Sequence, residues 1–224
     1  MMDFHVVISA GRCTDGLTAS FALHYAALAG LRFVGLVVPG DGTDFSFLPA
    51  LVSQVRRLSL YADMEARTGV ELCHVPPALL PAVVQEARDA GAEFVMVHGE
   101  TLGDQVEPGT NFAAIEAGAD ILAHPGLLDE KAARYASERG VALEFTSSPK
   151  HALTNAHVAA MALRCGCLLV RGSCARCAEE MTTRSRWPLV VRGADVFGEN
   201  EGRSNLLELL KKSESFLFRK WMLS

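Results

Sequence analysis

The sequence predicts an α/β barrel in which parallel strands alternate with helices. Seven short apolar runs recur at a spacing of roughly thirty residues, and helical segments separate them. Strands that are separated by helices pair in parallel through right-handed crossovers. No Gly-x-Gly-x-x-Gly follows the first run and no P-loop sequence occurs, which weakens the alternative of an open nucleotide-binding sheet. We therefore expect a TIM-like (β/α) barrel of seven strands.

Each predicted strand is a short apolar run that ends at turn residues. We expect strands at residues 4–9, 33–38, 70–73, 94–98, 121–124, 142–146 and 168–171. The clearest helices are predicted at residues 79–90 and 130–139. Each is followed by a glycine, Gly91 or Gly140, which suits the left-handed conformation that commonly ends a helix.

Composition and charge indicate one domain that comprises residues 1–224. Of the 224 residues, 50% are hydrophobic and 21% are charged, so the chain can bury a sizeable core. The net charge of −5 and the lack of a Lys/Arg block argue against nucleic-acid binding, which requires a basic surface. No run approaches the ~20 apolar residues that cross a membrane, so we expect a cytoplasmic protein without membrane contact.

The end of the chain, residues 213–224, is a short tail rich in apolar residues. Its large apolar side chains are Phe216, Leu217, Phe218, Trp221, Met222 and Leu223. We expect such a tail to pack on its own barrel, and the alternative is a surface for a partner or for a homodimer through the tail.

Three polar residues end apolar runs in the middle of the chain: Glu71, His98 and His124. In a parallel barrel the carboxyl ends of the strands lie on one face, so residues that are distant in sequence meet around one pocket. Two imidazoles and a carboxylate that meet there can bind a divalent metal ion. The sequence thus predicts a metal site at the carboxyl ends of the strands.

Five segments between residues 69 and 158 resemble the histidinol phosphate phosphatase type of the PHP (polymerase and histidinol phosphatase) superfamily. The segments are VELCHVPP (70–77), VHGET (97–101), PGTN (108–111), DILAHPG (120–126) and HALTNAHV (151–158). The resemblance implies a distorted seven-stranded barrel, up to three metal ions at the carboxyl ends of the strands, and phosphoester hydrolysis. It also implies that Glu71, His98, His124 and His5 are metal ligands.

Other positions depart from the superfamily pattern. Val7 stands where the first strand of the pattern has a second histidine. Residues 37–39 read Val-Val-Pro instead of Thr-Asp-His, and residues 174–176 read Cys-Ala-Arg instead of Asp-x-His. These losses remove negative charge and lone pairs that a multi-metal cluster requires. We therefore expect one divalent ion, zinc or manganese, or none, and a degenerate phosphoesterase with weakened or lost hydrolysis.

Polar residues on loops after the fourth, sixth and seventh strands predict that the pocket still binds a small anionic ligand that carries phosphate. The candidate ligand-binding residues are Glu100, Asp104, Asn111, His151, Asn155, His157 and Arg176. The alternative role of Asn155 is a helix cap, and that of His157 is a contact with solvent or with the helix dipole.

The six cysteines are too few and too unevenly spaced for a disulfide framework, so reduced thiols are expected. We predict that three of them, Cys73, Cys174 and Cys177, lie on neighbouring loops. There they form a thiol site for zinc or another thiophilic metal ion, they form a disulfide, or they are small apolar side chains that fill space. A four-thiolate site that includes Cys165 and Cys167 is disfavoured, because the seventh strand separates the two pairs.

The alternative function is an active mono- or dinuclear metal phosphoesterase that acts on a small phosphomonoester. It would need replacement ligands, for which Asp15, Asp41 and Asp44 on predicted loops are the candidates. If these aspartates reach the pocket, we expect more than one bound ion per chain, and if they do not, we expect one or none.

Overall fold

A computed structural model of the chain describes residues 1–9, 16–194 and 200–223. Its framework is a sheet of seven parallel strands in which each strand pairs with the next in sequence. The strands are β1 (Met2–Val7), β2 (Phe33–Gly40), β3 (Glu65–Leu72), β4 (Phe94–His98), β5 (Ile121–Ala123), β6 (Ala142–Thr146) and β7 (Leu169–Gly172).

The chain returns to the first strand after the seventh, so the sheet is a nearly closed barrel. Ala175, which follows β7, forms a parallel bridge with Val6. The amide of Val7 donates to the carbonyl of Ala175 over 2.9 Å, and the amide of Cys174 donates to the carbonyl of His5 over 2.8 Å. The predicted TIM-like α/β barrel is therefore confirmed.

Helices follow the strands as the alternation predicts. Within the described ranges they are α1 (Ala19–Leu28), α2 (Leu48–Ala62), α3 (Leu80–Asp89), α4 (Thr110–Glu116), α5 (Glu130–Arg139), α6 (Asn155–Cys165), α7 (Trp187–Gly193) and α8 (Asn200–Leu223). The prediction for residues 130–139 matches α5, and the prediction for residues 79–90 exceeds α3 by one residue at each end. None of these helices has the length and apolar character that crossing a membrane requires.

Five of the seven strands differ from their predicted bounds: β1, β2 and β7 by one or two residues at one or both ends, and β3 and β5 for identifiable reasons. β3 begins at Glu65 rather than at residue 70, and it pairs with β2 along its whole length. Arg67 and Thr68 interrupt the apolar pattern of this strand, which hid its first half. β5 ends at Ala123, because the next residue, His124, has a positive φ of 47° that breaks the extended conformation.

A β-bulge in β1 turns two consecutive side chains into the barrel. The pairing of β1 with β2 is irregular between Asp3 and Val6, so that Phe4 and His5 both face inward. Gly35 of β2 lies beside the bulge, and a Cβ atom there would approach the Phe4 carbonyl oxygen to 2.6 Å. This local distortion brings an imidazole to the interior of the barrel.

Aromatic side chains fill the amino end of the barrel. The rings of Phe4, Phe33 and Phe94 lie 4.8 to 6.0 Å from the ring of Trp221, which is buried. Trp221 belongs to α8, so residues 213–223 of the apolar tail form the second half of a long helix, and residue 224 lies outside the described residues. Leu217 of the same helix is also buried in this cluster. The helix thus covers the end of the barrel that is opposite to the carboxyl ends of the strands.

Candidate metal centre

The four predicted metal ligands lie together inside the barrel. His5 comes from β1, Glu71 from β3, and His98 from the end of β4, while His124 directly follows β5. All four side chains are buried. The parallel order of the strands explains this meeting of residues, because successive carboxyl ends lie side by side.

Glu71 connects two of the imidazoles. Its Oε1 lies 2.9 Å from Nδ1 of His98, and its Oε2 lies 3.2 Å from Nε2 of His5. The second pair is close but does not form a hydrogen bond, so His5 Nε2 and Glu71 Oε2 both lack a hydrogen-bond partner among the described residues. These two atoms are therefore available to a cation.

A second buried carboxylate, Glu144 of β6, was not predicted from the sequence. Its Oε1 lies 3.1 Å from Nδ1 of His5, and its Oε2 lies 2.9 Å from Nδ1 of His124. Gly172 of β7 provides the space for this carboxylate, since a Cβ atom there would approach Glu144 Oε1 to 1.9 Å. The sequence does contain a signal for this residue, namely a carboxylate within the apolar run at residues 142–146. A charge that is buried in such a strand needs a partner, so its position indicates a buried polar site.

Cys174 completes a set of three donors with two of the histidines. One donor atom each from His5, His124 and Cys174 lies within 4.8 Å of the other two. Cys174 has a positive φ of 52° and follows β7 at the seam where the barrel closes. This thiol occupies the position at which the resemblance leads one to expect an aspartate.

The charges of this cluster compensate one another. Burial raises the pKa of Cys174, but His5 and His124 lower it to about 6, which favours the thiolate at neutral pH. Burial lowers the pKa of His124, but Glu144 and Cys174 raise it to about 9. Burial also lowers the pKa of His5, which Glu71, Cys174 and Glu144 raise well above its usual range. Two imidazolium rings therefore balance buried anions when no other cation is bound.

The donor atoms fit a divalent metal ion. Nε2 of His5, of His98 and of His124 is buried, and each lacks a hydrogen-bond partner in the part of the chain that the structure describes. Nδ1 of all three rings faces a carboxylate, an arrangement that orients imidazoles for metal binding through the other nitrogen. Imidazole and thiolate are ligands that zinc prefers.

Two further groups of donors lie next to this set. Glu71, Cys73 and His98 form one, and His98, Asp104 and His151 form the other. His98 and Glu71 therefore stand between neighbouring candidate sites. Two of the three predicted thiols, Cys73 and Cys174, contribute to such groups, whereas Cys177 is exposed and belongs to neither.

His151 and Asp104 lie at the rim of the cluster. The ring of His151 stacks on that of His124 at 3.9 Å between centroids, and its Nδ1 lies 2.8 Å from the Thr101 hydroxyl. Burial and the charges of His124 and His98 lower the pKa of His151 to about 3, so this ring is neutral. Asp104 pairs with the half-exposed Lys150 over 2.5 Å and lies 3.5 Å from Nε2 of His98.

Four other predicted ligand-binding residues make hydrogen bonds within the fold. The carboxylate of Glu100 accepts from the amides of Gly109 and Asn111, and the Asn111 side chain bonds the Glu100 amide and the Pro125 carbonyl. These contacts tie the loop after β4 to the start of α4. They leave few polar atoms of Glu100 and Asn111 for a ligand.

Asn155 and His157 are used in a similar way. The Asn155 side chain accepts from the amide of Thr146 and donates to its carbonyl, and it is buried. Nε2 of His157 lies 2.6 Å from the carbonyl of Leu128. Both residues therefore secure α6 against neighbouring loops rather than face the cluster.

A cavity of about 520 Å³ opens at the carboxyl ends of β1 and β2. Val7, Val38 and Pro39 line it, which are positions where the superfamily pattern has metal ligands. Arg176 also lines it, as do Asp41 and Asp44, whose carboxylates accept from the amides of Thr43 and Ser46. The third replacement candidate, Asp15, lies outside the described residues.

Comparison with known sequences finds a relative of this chain but no matching family. No family profile matches the chain. An uncharacterised protein of Methanocaldococcus jannaschii is 40% identical over 132 residues, which are 56% of this chain and 61% of the relative. The chain thus spans less than two thirds of this relative's length. The PHP resemblance stays a prediction.

Solved structures share the barrel. Similar ones include a prolidase complexed with N-methylphosphonate-L-proline, the ochratoxinase of A. niger and the adenine deaminase of Arthrobacter aurescens. In that order they are 11%, 14% and 11% identical, with TM-scores of 0.52, 0.54 and 0.53. The matches cover 93%, 92% and 87% of this chain, and 74%, 68% and 77% of the other chains. At these identities the likeness shows the fold alone, so the chain is an α/β TIM-like barrel.

Proposed function

We propose that this chain is a zinc-binding barrel protein of PHP type that hydrolyses small phosphomonoesters slowly. The observation that carries the proposal is the buried donor set of His5, His124 and Cys174, held by Glu144. Nε2 of His5 and of His124 is buried without a hydrogen-bond partner among the described residues, and a bound cation would give both atoms a partner.

The chain's own residues would divide the work of the reaction. His5, His124 and Cys174 would hold the ion, and a bound ion acts as a Lewis acid that polarises a phosphoryl oxygen and makes water more acidic. The ring of His151, whose Nδ1 contacts the Thr101 hydroxyl, has a pKa of about 3, which is too low for a general base near neutral pH, so its role would be to orient the substrate or a water molecule through a hydrogen bond at Nε2.

The adjoining cavity supports a small, partly apolar substrate. Its apolar wall includes Val7, Val38 and Pro39, and Arg176 provides a guanidinium that can bind a phosphate in a bidentate manner. The volume of about 520 Å³ falls in the usual range for small-molecule sites. We therefore propose a phosphomonoester with an apolar portion as the substrate class.

A second candidate function is ligand binding without hydrolysis. It is favoured by the apolar side chains at Val7 and Pro39, where ligands of further ions are expected from the resemblance. Additional ions in phosphoesterases stabilise the attacking and leaving oxygens, so their loss slows or abolishes catalysis. Under this candidate the cavity binds the phosphomonoester and releases it unchanged.

The test measures metal content and hydrolysis on the same preparations. The chain is loaded with zinc or with manganese, dialysed, and analysed for bound metal, alongside Cys174→Ser and His124→Ala. We expect about one equivalent in the unmodified chain and its loss in both variants. Cys177→Ser is the matched control, because this thiol is exposed and outside the donor groups.

Hydrolysis of a panel of phosphomonoesters then separates the two functions. Slow phosphate release that disappears in Cys174→Ser and persists in Cys177→Ser supports the enzyme. Bound metal with no phosphate release from any ester supports ligand binding instead. No bound metal after any loading overturns the proposed centre.

A further inference from the structure

A second cavity, of about 350 Å³, lies outside the barrel wall and away from the residues of the metal centre. It is bounded by the start of β1, the start of β2, β7 and the helices α7 and α8. None of the donor residues of the metal centre lines it. Its volume lies at the lower end of the range for small-molecule sites.

The cavity is strongly cationic in a chain that is acidic overall. Four basic side chains line it, and Glu214 is the acidic one among the described lining residues; the basic ones are Arg32, Arg171, Arg184 and Lys211. The chain as a whole has a net charge of −5. A local excess of positive charge against this background indicates a surface that attracts anions.

One of these cations is fixed in position. Nε of Arg171 donates to Oε1 of the buried Glu214 over 2.5 Å, and the guanidinium also pairs with the other carboxylate oxygen. The guanidinium lies over the ring of Trp187, 5.6 Å from its centroid. Arg171 is therefore preorganised and neutralised, and it forms the polar floor of the cavity.

The other three cations have no such compensation. Among the side chains that the structure describes, which are those of residues 1–9, 16–194 and 202–223, Arg32, Arg184 and Lys211 form no ion pair with a carboxylate. Arg32 lies over the ring of Phe218, 5.9 Å from its centroid. By contrast Lys212, the next residue on α8, pairs with Glu208 over 2.6 Å. These three cations therefore line one cavity without an ion-pair partner among the described side chains, while the carboxylate of Glu214 is paired with Arg171.

The wall of the cavity offers a donor and an apolar surface as well. Trp187 is buried, and its indole N–H has no acceptor among the described residues. Pro188, Val191 and Leu207 provide apolar contacts. A buried donor without an acceptor is costly, and an anion that reaches it would remove this cost.

We propose that this cavity binds a phosphorylated small molecule that carries at least two negative charges. Arg32, Arg184 and Lys211 contact the phosphate groups, and the apolar wall contacts the rest of the molecule. Because the cavity is separate from the metal centre, binding there does not require the centre or its activity. The site can thus hold a ligand while the barrel interior is empty or occupied.

The test uses inorganic pyrophosphate as the probe and Trp187 as the reporter. The chain has two tryptophans, so Trp221→Phe leaves Trp187 as the single source of tryptophan emission. In this background we titrate pyrophosphate at constant ionic strength and confirm the Kd by calorimetry. His124→Ala is added to remove binding at the metal centre, and the affinity is expected to persist in it.

Matched pairs of variants localise the binding. Arg184→Ala and Lys211→Ala should each raise the Kd about ten-fold or more, because each removes a charge-assisted contact. Arg186→Ala and Lys212→Ala, which change exposed cations that do not line the cavity, should leave the Kd unchanged within about two-fold. Arg171 is left intact, since its loss would strand the buried Glu214.

Two results would overturn the proposal. One is a Trp187 emission that does not respond to pyrophosphate together with no heat of binding in the His124→Ala background. The other is an equal loss of affinity in the cavity variants and in their neighbours, which would mean general attraction by surface charge. Binding that vanishes in His124→Ala would assign the anion to the metal centre and would also contradict the proposal.

Discussion

Cys174 is the residue that most distinguishes this centre from the superfamily pattern. It stands where an aspartate is expected, and its thiol lies with His5 and His124 in one donor set. Thiolate is a soft ligand that favours zinc, whereas carboxylate suits manganese and magnesium. If Cys174 binds the ion as proposed, this one residue would shift the metal preference toward zinc.

Cys174→Asp should restore a carboxylate to this position and shift the metal preference toward manganese. The chain and the variant are loaded in equimolar zinc and manganese, and the bound metals are measured by elemental analysis. We expect a higher manganese fraction in the variant, because a hard ligand replaces a soft one. An unchanged ratio of the two metals would contradict a role of Cys174 as a ligand.

Glu144→Gln should weaken metal binding although the residue is not itself a donor to the ion. The two carboxylate oxygens lie 3.1 Å from Nδ1 of His5 and 2.9 Å from Nδ1 of His124, and an amide cannot offer an acceptor oxygen to both rings. Loss of such a supporting carboxylate usually lowers metal affinity about 10- to 100-fold. Competition with a chelator measures this affinity.

The matched control is Glu138→Gln, which removes an exposed carboxylate on α5. It should leave the affinity unchanged. If Glu144→Gln and Glu138→Gln bind zinc with equal affinity, Glu144 does not orient the two imidazoles, and this prediction is contradicted.

The long helix α8 determines how the amino end of the barrel is closed. Trp221 is 4% exposed and stacks on Phe94 at 4.8 Å between centroids, while Leu223 is 89% exposed. Apolar residues of this segment therefore serve the chain's own core, and others remain at its surface. Hydrophobicity alone could not separate these two groups, because it does not show which face of the helix meets the barrel.

Trp221→Ala should lower the free energy of unfolding by about 3–5 kcal/mol, because it removes a large buried ring and leaves a cavity among three phenylalanines. Leu223→Ala, two residues further on, should change it by less than about 0.5 kcal/mol. Chemical denaturation followed by circular dichroism measures both. Equal effects of the two substitutions would contradict the packing of α8 in the barrel.

The strands show what the sequence could predict and what it could not. Apolar runs located β4 and β6 with their observed bounds, since consecutive buried residues are typical of parallel strands. The first half of β3 was not predicted, because Arg67 and Thr68 interrupt the apolar pattern. In the structure, pairing with β2 holds both residues in the sheet. Polar residues are accommodated in a strand by contacts with adjacent strands and helices, and the pattern of one segment of sequence does not contain this information.

At the level of the whole molecule, the order of the strands accounts for most of the site. Once parallel pairing in sequence order is predicted, Glu71, His98 and His124 must meet at the carboxyl ends. The contact of Cys174 with His5 could not be predicted in the same way. It depends on closure of the barrel between β7 and β1, and on the positive φ of Cys174 at that seam.

The cobalt(II) spectrum of the protein tests the central claim most directly, namely that His5, His124 and Cys174 hold a divalent ion. Cobalt replaces zinc in such sites, and a coordinated thiolate gives an intense charge-transfer absorption in the near ultraviolet. We expect this band in the unmodified chain and in Cys177→Ser, and its loss in Cys174→Ser. A cobalt-loaded chain without the band, or a band that persists in Cys174→Ser and disappears in Cys73→Ser, would contradict the proposed centre.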